Sequence, residues 1–148
     1  MISPEILRRY PYFAKVADES LKSVAQMADE ETVSAGTHMF SEGDPADTLN
    51  IIIQGEVEIQ YVLGSGERRT VDTLVDGDIL GWSALIEPYK YTAVCTTKKD
   101  TRMVAIQAQK LRDLCDQDPM LGYRLTNQIA KLLANRLEGA RVQLAAID

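Results

Sequence analysis

The residues best placed to do chemistry lie between Gly77 and Val94, where the chain reads Gly-Asp-Ile-Leu-Gly-Trp-Ser-Ala-Leu-Ile-Glu-Pro-Tyr-Lys-Tyr-Thr-Ala-Val. The pattern predicts a strand, a tight glycine turn, one short helical turn over Ser83–Leu85, a proline-marked loop and a second strand. Gly77 and Gly81 let the backbone turn sharply and approach a ligand closely. The free N–H groups opening the short helix at Ser83 and Ala84 would face an anion. Lys90 would bring a positive charge to the same space from the loop. Gly81, Ser83, Ala84 and Lys90 thus make a candidate phosphate cradle. Trp82 and Tyr91 add rings able to stack on a ligand or to fill the pocket themselves. An ordinary strand–turn–helix corner with a solvated lysine uses the same residue types, so the cradle depends on what the rest of the chain builds around it.

Other chemistries find less support. His38 is the sole histidine, which argues against a histidine metal site such as those of β-roll metal enzymes. Glu42, Asp44 and Asp47 cluster on a turn, where solvated acids are the default. No Ser/His/Asp or Cys/His constellation can be argued, and catalysis is not expected. Two cysteines, Cys95 and Cys115, are too few for a disulfide framework. Both read as buried reduced thiols, one in a strand and one on a helix beside Leu111 and Leu114. The net charge of −6 and the scatter of basic residues, with only pairs such as Arg68-Arg69 and Lys98-Lys99, oppose direct DNA binding. No run approaches the ~18 apolar residues of a membrane span. Met1-Ile2-Ser3-Pro4-Glu5 shows no signal peptide, so a cytoplasmic location is expected.

The elements that must position the cradle can be read outward from it. With 148 residues, 45% of them hydrophobic, the chain is expected to form one domain with a real core. Its predicted parts are N-terminal helices over 1–30, a β-roll over 31–107 with the cassette at 77–94, and C-terminal helices over 108–148. Ser3 caps a short helix over 3–9 with Pro4 at its first position. Asp18-Glu19-Ser20 opens a second, with Leu21, Val24, Ala25 and Ala28 on one face. From Glu31 the period shortens. Strands are expected over Thr32–Ser34, Thr37–Phe40, Thr48–Ile53, Glu56–Val62, Arg69–Leu74, Tyr91–Thr96 and Arg102–Ile106, as in a barrel, roll or sandwich. Leu63-Gly64-Ser65-Gly66-Glu67 reads as a hairpin tip. A short helix over Gln107–Cys115 precedes a long one capped by Asp118 with Pro119 at its first position. On the long helix Leu121, Leu125, Ile129, Leu132, Leu133, Leu137, Ala140 and Leu144 form one stripe. At about 27 residues the helix would be roughly 40 Å long. That exceeds what a small barrel needs, so the surplus stripe points to a symmetry mate in a homodimer.

Four segments, in order, carry a family resemblance. They are Leu7-Arg8-Arg9-Tyr10-Pro11-Tyr12-Phe13 followed by Asp18-Glu19-Ser20-Leu21; Phe40-Ser41-Glu42-Gly43-Asp44-Pro45 through Leu49-Asn50-Ile51-Ile52-Ile53-Gln54-Gly55-Glu56-Val57; Gly77–Val94; and Asp118-Pro119 with Leu125, Gln128, Ala130 and Arg136-Leu137. Together, and above all in the glycines at 43, 55, 77 and 81, the chain resembles the cyclic nucleotide-binding domain, in particular the effector domain of Crp/Fnr-type bacterial regulators. The resemblance implies a mainly β fold with flanking helices (α+β): a double-stranded antiparallel β-roll of jelly-roll, cupin-like type with short N-terminal helices and a long C-terminal one.

It also implies a site. In the nucleotide-binding members a glycine–glutamate pair precedes a small residue and alanine; the glutamate takes the ribose 2′-hydroxyl and an arginine pairs with the cyclic phosphate. Here Trp82 stands at the glutamate position, Lys90 near the arginine, and Tyr91 and Thr92 at the small residues that follow. The family reaches the base from the long helix, near Asn135 and Arg136, where Arg136 supplies a second positive charge. The implied ligand-binding set is therefore Gly81, Trp82, Ser83, Ala84, Lys90, Tyr91, Thr92 and Arg136. An indole only donates, and lysine lacks the planar fork of arginine. Losing one neutral and one bidentate charged contact forfeits roughly 2–4 kcal/mol, on the order of a hundredfold in affinity. The resemblance implies a non-catalytic regulatory domain that senses a small anionic ligand, with cAMP or cGMP as the family's ligands, and signals through its C-terminal dimerisation helix to a separate effector protein. A ligand-free dimerisation module with a degenerate cassette is the alternative. Neither membrane nor direct DNA contact is expected, since no helix-turn-helix follows the long helix.

Overall fold

The computed structural model describes residues 1–147. Helix α1 (Pro4–Arg8) begins where Ser3 Oγ accepts the Glu5 N–H at 3.4 Å, and α2 (Asp18–Gln26) buries Leu21, Val24 and Ala25. Eight strands follow: β1 (Ala28–Val33), β2 (His38–Phe40), β3 (Thr48–Gln54), β4 (Glu56–Val62), β5 (Arg68–Val75), β6 (Ile79–Leu80), β7 (Val94–Thr97) and β8 (Thr101–Gln107). They form two four-stranded antiparallel sheets, ordered β1-β8-β3-β6 and β2-β7-β4-β5. This is the expected β-roll with flanking helices. Helices α3 (Ala108–Gln117) and α4 (Pro119–Ala145) complete the chain.

The first sheet explains why β3 is almost continuously apolar. It is covered on both faces, so successive residues bury into different cores. Leu49 and Ile51 join Leu7, Phe13, Leu21, Leu111, Leu121, Leu125 and Ile129 in a core beneath the helices. Ile52 turns the other way, into the roll, to meet Val57, Leu74, Leu80, Cys95 and Met103. Gly55, at φ +140°, closes the turn into β4; a Cβ there would stand 2.7 Å from the Thr101 Cα, so the two backbones touch only because the residue is glycine.

Most boundaries shift by a residue or two, and two strand starts move further. Ala28, expected on the second helix, opens β1: its partner across the ladder is Ile106, and the strand runs from there rather than from Thr32. An acidic run, Asp29-Glu30-Glu31, masks the strand to a periodicity reading, because only its first residue is buried. Tyr91–Ala93, expected in a strand, precede β7. They are held instead against the loop 43–46, through Gly43 N–H to Tyr91 O at 2.8 Å and Tyr91 N–H to Asp44 O at 2.9 Å.

Helix α4 has 27 residues and starts as expected, with Pro119 at its first position and an Asp118 carboxylate oxygen accepting the Leu121 N–H at 3.3 Å. The Asp118 carboxyl lies below the usual aspartate range, first because Ser20 donates to it and then because of the Leu121 amide. Along the stripe Leu121, Leu125 and Ile129 are buried and Leu132 and Leu133 half-buried, whereas Leu137 and Leu144 are exposed. None of the helices among the described residues is long and apolar enough to cross a membrane.

Candidate functional site

Strand β6 delivers the chain to Gly81, which adopts φ +82° and opens a four-residue 3₁₀ helix, Trp82–Leu85. A Cβ at Gly81 would stand 3.0 Å from the Thr48 carbonyl oxygen and 3.2 Å from Tyr91 Cε1. The tight fit arises because Tyr91 is buried at this point. Its ring stacks on Phe40 with centroids 3.7 Å apart and planes 12° from parallel, and its hydroxyl donates to the Thr48 carbonyl at 3.0 Å.

A second clamp comes from outside. Arg112 of α3 donates to the Ala84 carbonyl at 2.6 Å and lies over the Tyr89 ring, 4.1 Å from its centroid. The short helix of the cassette and the loop after it are thus tied to α3 by a charged hydrogen bond and a cation–π contact. Tyr12, between the N-terminal helices, donates to the Gly77 carbonyl at 3.0 Å. Burial and then the nearby Asp78 charge raise its pKa, which keeps the hydroxyl a donor.

Between cassette, β4, β5 and α4 lies a cavity of about 600 Å³. Its volume falls within the ~300–1,000 Å³ of small-molecule sites. Phe40, Trp82, Tyr91, Ile59, Leu74, Ile79, Leu80 and Leu133 give it a mainly apolar wall. Ser83, Thr70, Thr92 and Gln143 contribute polar groups, and the charged residues in the lining are Asp72 and Arg136. These two form an ion pair between β5 and α4, so the wall carries no net charge.

Six residues of the implied set line this cavity: Gly81, Trp82, Ser83, Tyr91, Thr92 and Arg136. Ala84 lies fully buried outside the lining with its carbonyl taken by Arg112, and Lys90 is exposed, also outside the lining. Extended backbone turns neighbouring side chains to opposite sides. Because Tyr91 is turned inward and buried against Phe40, Lys90 points out, its backbone bridged to Pro45. Asn135 is exposed and is not in the lining. Asp72 escaped the sequence reading. The signal was available: in Thr70-Val71-Asp72-Thr73-Leu74 it shares the phase of buried Leu74, an acid on the apolar face of a strand.

The other reactive groups stand apart. Burial raises the Cys95 thiol to about 12 and the Cys115 thiol to about 11. Histidine 38 bonds through Nε2 to the Phe40 carbonyl at 2.9 Å and to Ser41 Oγ at 2.8 Å. Since a carbonyl only accepts, that nitrogen carries the proton and cannot serve as a base for Ser41. Among the described residues no group of three or more His, Cys, Asp or Glu side chains is placed to hold a metal.

The sequence profile of the cyclic nucleotide-binding domain matches residues 30–118, more than half of the chain. The chain belongs to the cyclic nucleotide-binding domain family. The structure of a protein from Geobacter metallireducens GS-15, assigned to the cyclic nucleotide-binding proteins, is 38% identical to this cyclic nucleotide-binding domain; the match covers 93% of this chain and 99% of that one, with a TM-score of 0.84. The CRP-like cAMP-activated global transcriptional regulator of Mycobacterium tuberculosis is 27% identical over 95% of this chain and 61% of its own length. The cyclic AMP receptor protein of Thermus thermophilus is 25% identical over 90% of this chain and 60% of its own. The domain therefore spans about three-fifths of these regulators. It is similar to their ligand-sensing, regulatory class.

Proposed function

We propose that this domain senses a small anionic ligand, of which a cyclic nucleotide is the family example, in the cavity between the cassette and α4, and reports occupancy through α4. It acts as a single non-catalytic domain in the cytoplasm, as a homodimer joined along α4, with a separate effector protein as its output. Gly81, Trp82, Ser83, Tyr91, Thr92 and Arg136 form the site.

One observation carries this reading. Helix α4 contributes Leu133, Arg136, Ala140 and Gln143 to the cavity wall, and the same stretch exposes Leu137, Val142 and Leu144. A ligand that prefers one position of Arg136 biases the helix, and the helix presents apolar surface to a second copy. A second reading, a dimerisation module that binds no ligand, is favoured by the ion pair filling the charged corner of the site and by the outward Lys90.

Thermal unfolding with a panel of cyclic mononucleotides, cyclic dinucleotides and ordinary nucleotides separates the two. A ligand at 100 times its Kd adds about 2.7 kcal/mol, which raises Tm by roughly 5–10 °C for a domain of this size. No shift across the panel, with a dimer in sedimentation, selects the ligand-free module. A monomer by sedimentation at all concentrations removes the role given to the exposed face of α4.

A further inference from the structure

The charges of the cavity point to a different ligand geometry from the one the cassette suggested. Among the described residues the cassette brings no cation into the cavity: Lys90 is exposed and lies outside the lining. The lining contains one cation, Arg136, and it comes from α4. The cassette side supplies rings instead, with Trp82 half-buried and Tyr91 already stacked on Phe40. One further group is charged, the Asp72 carboxylate paired with Arg136.

Taking the cavity as a ligand site, as proposed above, we infer that it takes a planar aromatic ring carrying a single negative charge, with the ring against Trp82 and the charge on Arg136, and that Asp72 is a built-in competitor for that charge. An anion displaces Asp72 from the guanidinium, and the bond it replaces is the one joining β5 to α4. A single charge suits the site, because Arg136 is the lone cation of the wall and Asp72 stays close. A doubly charged group would face one cation and one acid. The apolar wall favours a ring over a hydrated polar chain.

Trp82 is the only tryptophan, so its fluorescence reports on this cavity directly. The probe is the aromatic monoanion 1-anilinonaphthalene-8-sulfonate, followed by energy transfer from Trp82, with displacement by 2-naphthoate, by its neutral counterpart 2-naphthylmethanol, and by cAMP and cGMP. The expected result is saturable transfer, with 2-naphthoate displacing the dye at least tenfold better than 2-naphthylmethanol. The two charge variants should move in opposite directions. Arg136→Gln weakens binding roughly tenfold, the lower end of what a charge-assisted contact contributes; Asp72→Asn strengthens it several-fold by removing the competitor. Lys90→Gln leaves it unchanged. If cAMP or cGMP displaces the dye with the same dependence on Arg136, the charged ring is a nucleotide's. If naphthoate alone does so, it is an aromatic acid.

Equal displacement by the neutral compound overturns the inference. So does a loss confined to Lys90→Gln, or weakening of binding by both Asp72→Asn and Arg136→Gln, the result expected if the pair only holds the fold together. Absence of dye binding overturns it as well. A nucleotide that then still raises Tm would leave ligand sensing intact, whereas silence in both assays would remove both.

Discussion

Replacing Gly81 by alanine tests whether the cassette is shaped by backbone conformation alone or also by the packed Tyr91 ring. Gly77 supplies the control. The two glycines share a left-handed backbone, φ +82° at Gly81 and +87° at Gly77, so an alanine at either meets the same strain, about 1–2 kcal/mol. Stiffening the unfolded chain returns roughly 0.4–1 kcal/mol in both cases. Their surroundings differ. A Cβ at Gly77 meets nothing within 4 Å, whereas one at Gly81 stands 3.0 Å from the Thr48 carbonyl oxygen and 3.2 Å from Tyr91 Cε1. Neither neighbour yields easily. The carbonyl belongs to β3, and the Tyr91 ring is held by Phe40 on its face and by its own hydrogen bond at the tip. Crowding of this kind costs typically 1–3 kcal/mol. Gly77→Ala should therefore lose about 1 kcal/mol and Gly81→Ala about 2–4. Urea unfolding monitored by circular dichroism reads both losses from the midpoints at constant m. In the Trp82 emission of the folded state, Gly81→Ala alone should shift, because the indole follows the displaced turn. Equal losses at the two positions, or a larger one at Gly77, would show that Tyr91 does not brace the turn.

Three further outcomes are expected. Arg112→Lys keeps the charge but loses the planar group over Tyr89 and weakens the bond to the Ala84 carbonyl; it should cost about 1–2 kcal/mol and raise amide exchange across residues 82–86, whereas unchanged exchange there would free the cassette from α3. The depressed Asp118 carboxyl adds stability above the ordinary aspartate pKa of 3.8 and loses it as pH falls through its lower folded value. Asp118→Asn should therefore be less stable than the wild type at pH 7 and converge with it in acid; parallel pH profiles would contradict this. With burial raising Cys95 to about 12 and Cys115 to about 11, neither thiol is appreciably ionised at pH 8. Ellman's reagent should react slowly with the native chain and rapidly with two thiols after denaturation, and a fast native reaction at Cys95 would refute the packing of the inner core.

The sequence disclosed most where local chemistry decides the structure. Asp118-Pro119 states both the cap and the first position of α4, and the helix begins there. Gly77 and Gly81 state a backbone conformation that other residues avoid, and both adopt it. Of the candidate site, six of the eight implied residues line one cavity, and the directions of the side chains were harder to read. A lysine after a proline loop suggests a cation near a phosphate cradle, but its aim depends on the pleat, and the pleat is set by Tyr91 turning inward to stack on Phe40, a contact spanning 51 positions. Asp72 and Arg136 lie 64 positions apart, and no local pattern pairs them. Arg112 looks like any solvated arginine until α3 packs beside the cassette.

These directions bear on how occupancy of the cavity would be transmitted. The cassette is already fixed by protein groups: Tyr91 on Phe40 and the Thr48 carbonyl, Arg112 on the Ala84 carbonyl, Tyr12 on the Gly77 carbonyl. A ligand gains little by ordering what is ordered, and it shifts an equilibrium only by its differential affinity for two arrangements. The exchangeable element of the wall is the Asp72–Arg136 pair, half-exposed on both sides and formed between a strand and a helix. The helix is also anchored unevenly. Its core contacts are complete through Ile129, partial at Leu132 and Leu133, and spent by Leu137. Arg136 thus acts on the part of α4 held by the fewest other contacts, where a single ion pair weighs most against the rest of the packing. If α4 carries the signal as proposed, the lever lies on β5 and α4, and the cassette is the rigid wall against which it works.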